Sequence, residues 1–317
     1  MTLFLKDQDV AQCVTMDGML EAIESMQHHY GNGEAQNMTR RKVIADSGML
    51  SVMGGGLFHM GLLGVKTYTV VKGSYSFQVS LYDANTGELL CYTQANRLGQ
   101  LRTGATTGVS VKHLSNPGDI NVGIIGTGGQ APTQLEAVSK VRNINCVKAF
   151  SRTKDRREEF ASRMTKTMGI EVSAAATNEE AVRDCDLIIC VAATMDPVVE
   201  GAWLKNGSTV IGAGPTTWRA KEVDEDTITR ADKIIVDSAE QAGIEAGDLC
   251  NAVDKGLIQW SKVHELRHVV SGAVTGRDNA GQIVYAKIMG TGVADVAAAK
   301  LAYDTAKANG LGREMDW

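Results

Sequence analysis

A glycine-rich stretch in the middle of the chain carries the residues whose spacing points most directly to chemistry. It reads Gly126-Thr127-Gly128-Gly129-Gln130-Ala131, directly after the apolar run Val122–Ile125 and before a helical pattern. In such a pattern Gly126 allows a tight turn, and Gly128 lets the backbone approach a pyrophosphate. Ala131 lets helix and strand pack closely, while the helix N-terminus attracts the phosphates. The stretch predicts a dinucleotide site that includes Gly126, Gly128, Gly129, Gln130 and Ala131.

The end of the next predicted strand bears on which dinucleotide is bound. In NAD sites an acidic residue usually stands there and binds the ribose 2′-hydroxyl. Here the run Cys146–Phe150 is followed by Ser151-Arg152-Thr153, with no carboxylate at the tip. Two hydroxyls and a guanidinium suit a 2′-phosphate, because arginine binds phosphate with a planar fork. We therefore expect NADP(H); the alternative is a solvated basic turn in a protein that uses NAD(H).

Three cations in the first third of the chain stand where local structure does not require a charge. Lys66 follows the apolar run Leu62–Val65 on a predicted strand, so it must pair with another group or line a cavity. Arg102 lies in a helical segment, and Arg41 precedes the strand residues Val43 and Ile44. Taken singly, each is better explained as a surface charge whose aliphatic stem covers apolar surface.

Two kinds of secondary structure have to position these residues. Residues 41–93 are rich in β-branched and aromatic residues, and we expect Gly54–Gly56 to form a flexible turn among them. A helix follows from about residue 96 to 113, and from residue 117 strands alternate with helices. The predicted strands of that part are Val122–Ile125, Cys146–Phe150, Leu187–Ala192, Thr209–Ile211 and Lys233–Val236.

This order of elements predicts an α/β protein with a discontinuous first domain. Residues 117–292 should form a Rossmann domain with a doubly wound parallel sheet that binds the dinucleotide. Residues 1–116 should form an α+β substrate-binding and dimerisation domain. The alanine-rich helical segment within 293–317 is expected to pack back onto it.

Composition excludes several other classes of function. The net charge is −5 without a basic block, so no nucleic-acid partner is expected. No apolar run approaches the ~20 residues of a membrane span, and early acids such as Asp7 are not typical of a signal peptide. The six cysteines contain no C-x-x-C and the six histidines no metal-ligand spacing. We therefore expect a cytoplasmic protein with free thiols and no metal.

A family resemblance becomes specific at Leu98-Gly99-Gln100-Leu101-Arg102-Thr103-Gly104-Ala105. This run resembles the L-T-A-L-R-T-G-A signature of the ornithine cyclodeaminase/μ-crystallin family, and residues 126–131 resemble its G-A-G-x-Q-A loop. Gly64-Val65-Lys66 resembles its catalytic-lysine strand. Further matches are Leu81–Glu88 with the family's hairpin, and Ala231–Asp237 and Val293–Tyr303 with its C-terminal blocks. The resemblance covers the chain from about residue 40 to the end.

The resemblance implies roles for individual residues and a homodimeric assembly. Arg41 and Arg102 would bind the substrate carboxylate, with Arg40 as the alternative if the register is shifted by one residue. Lys66 would be catalytic: it would bind the carboxylate or the reacting nitrogen, and it is a candidate proton donor. Ser151-Arg152-Thr153 resembles the N-R-T of NADPH-using members. Further cofactor contacts are implied for Thr103, Val191, Ala192, Thr194, Ala213 and Gly290.

The chain departs from the cyclodeaminases in one place. Those enzymes carry a catalytic aspartate in a G-G-D or G-A-D segment, where this chain reads Gly212-Ala213-Gly214-Pro215. Glu222 resembles the glutamate of the family's later E-L-D segment, where we expect a structural role. The leading hypothesis is therefore NAD(P)H-dependent reduction of an imino acid (a ketimine) to an amino acid, or the reverse oxidation. The alternatives are an ornithine cyclodeaminase-type lyase and a non-catalytic, NADPH-dependent ligand-binding protein of the μ-crystallin type.

Overall fold

The computed structural model describes residues 1–316. Over these residues the strands are β1 (Thr2–Leu5), β2 (Ala35–Ala45), β3 (Gly48–Leu57), β4 (Leu62–Val71), β5 (Ser74–Asp83), β6 (Leu89–Gln94), β7 (Ile120–Ile125), β8 (Ile144–Phe150), β9 (Glu171–Ala174), β10 (Leu187–Cys190), β11 (Thr209–Gly212), β12 (Lys233–Val236), β13 (Val263–Glu265), β14 (Val284–Lys287) and β15 (Arg313–Met315). The helices are α1 (Asp7–Cys13), α2 (Met16–Gly31), α3 (Asn96–Leu114), α4 (Ala131–Val141), α5 (Lys154–Met168), α6 (Asn178–Val182), α7 (Glu225–Arg230), α8 (Ala239–Glu245), α9 (Gly247–Asp254), α10 (Leu266–Val270) and α11 (Gly292–Ala308).

The chain divides into two compact units. The first consists of Met1–Ala105 together with the C-terminal segment that starts at Gly290, and the second is Thr106–Met289. The sequence placed the first boundary after residue 116, beyond helix α3, whereas the units divide within that helix. The second predicted boundary, before residue 293, lies three positions after the start of the returning segment. Of the predicted segment 293–317, residue 317 lies outside the described residues.

The first unit is built on a mixed sheet with the strand order β15-β1-β6-β5-β4-β3-β2. Strands β2 to β6 follow one another as an antiparallel meander, while β1 pairs in parallel with β6. Helix α11 packs on this sheet, against β3 and β4 in particular, and α2 packs on α11. The returning C-terminal helix therefore completes the core of the unit that the N-terminal strands begin.

The Gly54–Gly56 run belongs to strand β3, not to the flexible turn that we expected. A Cβ atom on Gly55 would lie 2.5 Å from the Cα of Val293, at the start of α11. Only glycine leaves room for the helix backbone at this distance from the strand. The glycines therefore serve a close helix–strand contact within the first unit, which local sequence cannot distinguish from a turn.

The second unit contains a parallel sheet with the order β13-β12-β14-β11-β10-β7-β8-β9. Its central strands β7 and β10 are mostly apolar and buried, because a parallel sheet is covered by helices on both faces. Successive residues enter different cores: Ile189 packs in one buried cluster and Ile188 in the other. The predicted doubly wound α/β fold is confirmed. The short strands β9, β13 and β14 were missing from the prediction.

Candidate functional site

Lys66 is buried in a cluster of charged side chains in the first unit. Its Nζ donates to Asp295 Oδ1 at 3.0 Å, and Arg102 Nε donates to the same oxygen at 2.9 Å. Lys66 is 4% exposed, Arg102 5% and Asp295 1%. One carboxylate oxygen therefore joins two of the predicted cations inside the unit. Asp295 itself was not predicted as a site residue.

Three elements bring these side chains together. Lys66 lies on β4, between Met53 of β3 and Val79 of β5, on the buried face of the sheet. Arg102 comes from α3, and Asp295 from the first turn of α11. Because the partners of Lys66 come from segments far along the chain, the cluster exists only when the C-terminal helix is in place.

A β-bulge determines which of two adjacent arginines faces this buried side. Met38 pairs with Gly54, but Arg41 pairs with Val52, so β2 has one more residue than β3 between these pairs. An extra residue reverses the face to which the following side chains point. As a result Arg40 is turned inward and buried, whereas Arg41 is exposed.

Arg40 is therefore close to the cluster, and the predicted Arg41 is not. Arg40 Nη2 donates to the backbone carbonyl of Gly290 at 3.3 Å, and its charge contributes to lowering the pKa of Lys66. Gly290 has a φ of +75°, and a Cβ there would collide with the Arg102 guanidinium. The structure thus places Arg40, the alternative in the sequence-based assignment, with Lys66 and Arg102.

The electrostatics of the cluster favour an anionic ligand. Arg40, Lys66 and Arg102 bring three positive charges, and Asp295 brings one negative charge. Burial lowers the pKa of Lys66 to about 8, and the Arg102 charge adds to this, while Asp295 opposes it. A lysine with such a pKa can give or take a proton near neutral pH. Buried guanidinium and ammonium groups of this kind can bind a carboxylate by charge-assisted hydrogen bonds.

Aromatic rings line the same face of the sheet beside Lys66. Its Nζ lies 5.3 Å from the centroid of the Phe77 ring, a cation–π distance. Phe77 in turn contacts Tyr68 at a centroid distance of 5.1 Å and stacks on Tyr75 at 5.6 Å. The cations therefore border an apolar wall that can contact the carbon skeleton of a small organic anion.

The glycine loop of the second unit has the geometry that its sequence predicts. Gly126 has a φ of +102°, and a Cβ there would lie 2.7 Å from the backbone carbon of Val191 in the loop after β10. A Cβ on Gly128 would have no atom within 4 Å, so this side of the loop is open. Helix α4 begins at Ala131 without a side-chain cap. The Ala131 N–H donates to the Gly128 carbonyl at 3.1 Å and Pro132 has no N–H, so at this helix start a phosphate would meet mainly the positive end of the helix dipole.

The end of β8 lies beside this loop. Thr127 Oγ1 donates to Ser151 Oγ at 2.9 Å, which fixes the hydroxyl of the first residue after β8. Arg157 Nη1 donates to the Ser151 carbonyl at 3.0 Å, while Arg152 and Thr153 are exposed. The structure thus brings together the glycine loop and the residues expected to distinguish a 2′-hydroxyl from a 2′-phosphate.

The other predicted cofactor residues fall into two groups. Val191, Ala192 and Thr194 lie in the loop after β10, and Ala213 follows β11, its N–H donating to Cys190 O at 2.8 Å. Because β7, β10 and β11 are parallel neighbours, these loops share the carboxyl edge of the sheet with the glycine loop. Thr103 and Gly290 belong instead to the first unit, near Arg102 in sequence or in space.

Within residues 1–316, no helix is both long and apolar enough to cross a membrane. In the same part of the chain, no group of three or more His, Cys, Asp or Glu side chains is arranged to hold a metal ion.

Comparison with known proteins places these features in a wider group. The profile of the ornithine cyclodeaminase/mu-crystallin family matches residues 1–310. A Delta(1)-pyrroline-2-carboxylate reductase of Bacillus cereus is 33% identical over 263 residues, which cover 80% of this chain and 81% of that protein.

Two solved structures are similar over nearly the whole chain. The Delta(1)-pyrroline-2-carboxylate reductase of Thermococcus litoralis, in complex with NADH and L-proline, has a TM-score of 0.95 at 30% identity, covering 99% of this chain and 100% of that chain. An archaeal alanine dehydrogenase dimer with bound NAD has a TM-score of 0.94 at 30% identity, covering 100% of this chain and 99% of that chain.

Proposed function

Because the chain belongs to the ornithine cyclodeaminase/mu-crystallin family, we propose that it is an oxidoreductase that reduces the C=N bond of an imino acid to an amino acid, or catalyses the reverse oxidation. The observation that carries the proposal is the buried cluster of Lys66, Arg102 and Asp295, with Arg40 beside it. The relatives named above include a pyrroline-2-carboxylate reductase and an alanine dehydrogenase. Both names describe chemistry at the bond between nitrogen and the carbon next to a carboxylate.

The proposed reaction assigns one task to each charged side chain. A dihydronicotinamide dinucleotide held by the glycine loop would supply the hydride that the imine carbon accepts. Arg40 and Arg102 bind the substrate carboxylate and fix its orientation by charge-assisted hydrogen bonds. Lys66 holds a proton on Nζ and passes it to the imine nitrogen, so that hydride and proton together saturate the C=N bond. Asp295 holds the Lys66 ammonium in position.

For the substrate we propose a cyclic ketimine such as pyrroline- or piperideine-2-carboxylate. The similarity to proteins named for pyrroline-2-carboxylate supports this choice. The aromatic wall of Phe77 and Tyr68 beside Lys66 also supports it, because the CH₂ groups of such a ring can pack on an apolar surface. A linear imino acid formed from a keto acid and an amine is the second candidate.

One assay separates the proposed reaction from the alternatives. The purified protein is incubated with NADPH or NADH and a panel of cyclic and linear imino acids, and loss of dihydronicotinamide absorbance is followed. In parallel it is incubated with ornithine and analysed for proline. Imine-dependent oxidation of the dinucleotide is the expected result. Proline formation without net oxidation would indicate a lyase, and tight dinucleotide binding without turnover of any substrate would indicate a binding protein.

We propose NADP(H) as the preferred dinucleotide. The support is the strand end Ser151-Arg152-Thr153, where Arg152 is exposed and no carboxylate stands to bind a 2′-hydroxyl. The double variant Ser151→Asp/Arg152→Gln should reverse the preference, measured as the ratio of kcat/KM for NADPH and NADH. Arg163→Gln, which removes an exposed arginine later in α5, is the control. Equal KM values for the two dinucleotides in the wild type would contradict the proposal.

We also propose a homodimer formed through the outer face of the first unit's sheet. Met38, Leu50 and Leu63 lie on the face opposite to Lys66, and all three are exposed. Exposed apolar side chains grouped on one sheet face are typical of an interface, and one similar structure is described as a dimer. Leu63→Lys should produce monomers in light scattering, whereas Leu257→Lys in the second unit should not. A monomeric wild type would contradict the proposal.

A further inference from the structure

The second unit buries a separate set of charged side chains that the proposed reaction does not use. Lys287 ends β14, Glu222 follows the long loop after β11, and Asp248 lies in the first turn of α9. Lys287 Nζ is 2.6 Å from Glu222 Oε2 and 2.8 Å from Asp248 Oδ2. All three are at most 3% exposed. We call these three residues the carboxyl-edge cluster.

Glu222 makes hydrogen bonds with two different loops at this edge of the sheet. Its two carboxylate oxygens accept from the N–H of Gly214 at 3.1 and 3.2 Å. Its backbone carbonyl accepts from the N–H groups of Val198 and Val199 at 2.9 and 3.1 Å. The side chain therefore holds the loop after β11, and the backbone holds the loop after β10. These loops carry the predicted cofactor residues Ala213 and Thr194.

Asp248 and Lys287 in turn fix Glu222. Asp248 Oδ1 accepts from the backbone N–H groups of Glu222 at 2.6 Å and Val223 at 3.1 Å, and Lys287 contacts both carboxylates. Gly214 fits only because it lacks a side chain, since a Cβ there would lie 2.7 Å from Ala192 O and collide with Glu222 Oε1. The two loops are thus packed together around one carboxylate.

Burying three charges in this way contributes little to stability by itself. The loss of hydration of each ion is comparable to the attraction between them, and apolar replacements are often no less stable. The charges instead determine the conformation of the loop: the Glu222 carboxylate binds the N–H of Gly214 and so fixes the backbone of the loop after β11. In parallel sheets, ligands bind outside the carboxyl ends of the strands, where these loops lie.

We propose that Glu222 and Lys287 are positioning residues for the dinucleotide. They hold the loops after β10 and β11 in the arrangement that receives the cofactor, so that the loops need not be ordered when it binds. The inference rests on dinucleotide binding by the second unit. It does not depend on which imino acid is reduced.

The test compares two replacements of Glu222 that lose the same charge. Glu222→Gln keeps an oxygen that accepts from Gly214, and Glu222→Met keeps the length of the side chain but no acceptor. The Kd for NADPH and NADH is measured by fluorescence titration, and Tm is measured for every variant. Glu222→Met should bind about tenfold more weakly, the ratio expected for one lost hydrogen bond to a charged group. Glu222→Gln should remain within about threefold of the wild type.

Kinetics separate positioning from a general loss of structure. In Glu222→Met and Lys287→Met the KM for the dinucleotide should rise, while kcat at saturating dinucleotide and the KM for the imino acid stay unchanged. Equal weakening in Glu222→Gln and Glu222→Met, in proportion to their loss of Tm, would overturn the inference.

A second variant covers the case in which Glu222→Met does not fold. Gly214→Ala leaves all three charges in place and forces the loop away from Glu222 and Ala192. It should weaken dinucleotide binding about tenfold, and unchanged binding would overturn the inference. A wild type that binds neither dinucleotide would overturn it as well. A wild type that binds NADH but reduces no imino acid would refute only the proposed reaction.

Discussion

Lys66 and Lys287 are both buried and both contact carboxylates, but they lie in different units and their pKa values move in opposite directions. Lys66 shares one carboxylate, Asp295, with Arg102, and burial lowers its pKa to about 8. Lys287 contacts Glu222 and Asp248, and these two charges raise its pKa well above the usual value despite the same burial. The balance of charge around each ammonium decides the direction.

The cluster around Lys66 is therefore suited to a reaction, whereas the carboxyl-edge cluster is suited to fixing the conformation of loops. In the first unit the lysine lies beside two arginines that can bind a carboxylate, and its lowered pKa allows it to exchange a proton near neutral pH. In the carboxyl-edge cluster negative charge is in excess, and Lys287 stays protonated while its carboxylates accept backbone N–H groups. The burial of a lysine therefore does not by itself indicate a catalytic role; the charges of the neighbouring side chains also decide its pKa.

The strongest test of the contrast exchanges each lysine for methionine. Lys66→Met should lower kcat for imine reduction by about 10²–10⁴-fold, the usual contribution of a positioned acid or base, and leave the Kd for the dinucleotide unchanged. Lys287→Met should do the reverse, weakening dinucleotide binding and preserving kcat. Steady-state kinetics and dinucleotide titration measure both. If Lys66→Met reduced the imine at the wild-type rate, its role as proton donor would be wrong.

The adjacent arginines of β2 provide a matched pair for the carboxylate site. Arg40→Ala should raise the KM for the imino acid by about 10²-fold, because a buried charge-assisted hydrogen bond is lost. Arg41→Ala removes an exposed arginine one position away, on the other side of the sheet, and should change KM by less than about twofold. Both are measured with the best imino acid of the panel. A larger effect of Arg41→Ala would restore the assignment made from sequence.

Which of these two arginines is buried could not be predicted from the sequence. The family resemblance indicated an arginine at the start of β2, but the face it occupies depends on a bulge that inserts one residue opposite β3. Asp295 was missed for a related reason, since it lies 229 residues from Lys66 and no local spacing connects them. Both features are set by packing between distant segments.

The second unit was more predictable because its signals are local. The glycine loop, the strand before it and the helix after it follow one another without interruption. The central strands are mostly apolar, whereas β14, which ends in the buried Lys287, was not among the predicted strands. Glu222 was expected to be structural from its resemblance to the family's E-L-D segment, but its partners Gly214, Asp248 and Lys287 come from three other segments.

The burial of Glu222 in the carboxyl-edge cluster should make the free energy of unfolding depend on pH. Burial raises the pKa of Glu222 from 4.5 to about 7. The unfolded chain releases this proton near the lower value and the folded protein near the higher one, so raising the pH across that window favours unfolding. Relative to Glu222→Gln, the wild type should lose roughly 1–3 kcal/mol of unfolding free energy over the window.

Urea denaturation at the two ends of that pH range measures this difference. Glu225→Gln, which replaces an exposed glutamate at the start of α7, is the control and should show no such trend. A difference between wild type and Glu222→Gln that is the same at both pH values would mean that Glu222 does not hold its proton in the folded protein.

The finest test asks whether Asp295 sets the proton affinity of Lys66. Asp295 raises the pKa of Lys66 against the effects of burial and of Arg102. Asparagine keeps an oxygen for the hydrogen bonds but removes the charge, so the pKa of Lys66 should fall below about 8 in Asp295→Asn. If Lys66 must be protonated to reduce the imine, kcat/KM declines as the pH rises through its pKa.

That decline should therefore begin at a lower pH in Asp295→Asn than in the wild type. Asp304→Asn, an exposed position on the same helix that pairs with Lys300, should leave the profile unchanged. A decline that stays in place would assign the titration to another group. Loss of a neighbouring negative charge can only lower the pKa of an ammonium. A decline that moves to higher pH would therefore contradict the electrostatic role of Asp295 and would mean that its main effect is to keep Lys66 in its buried position.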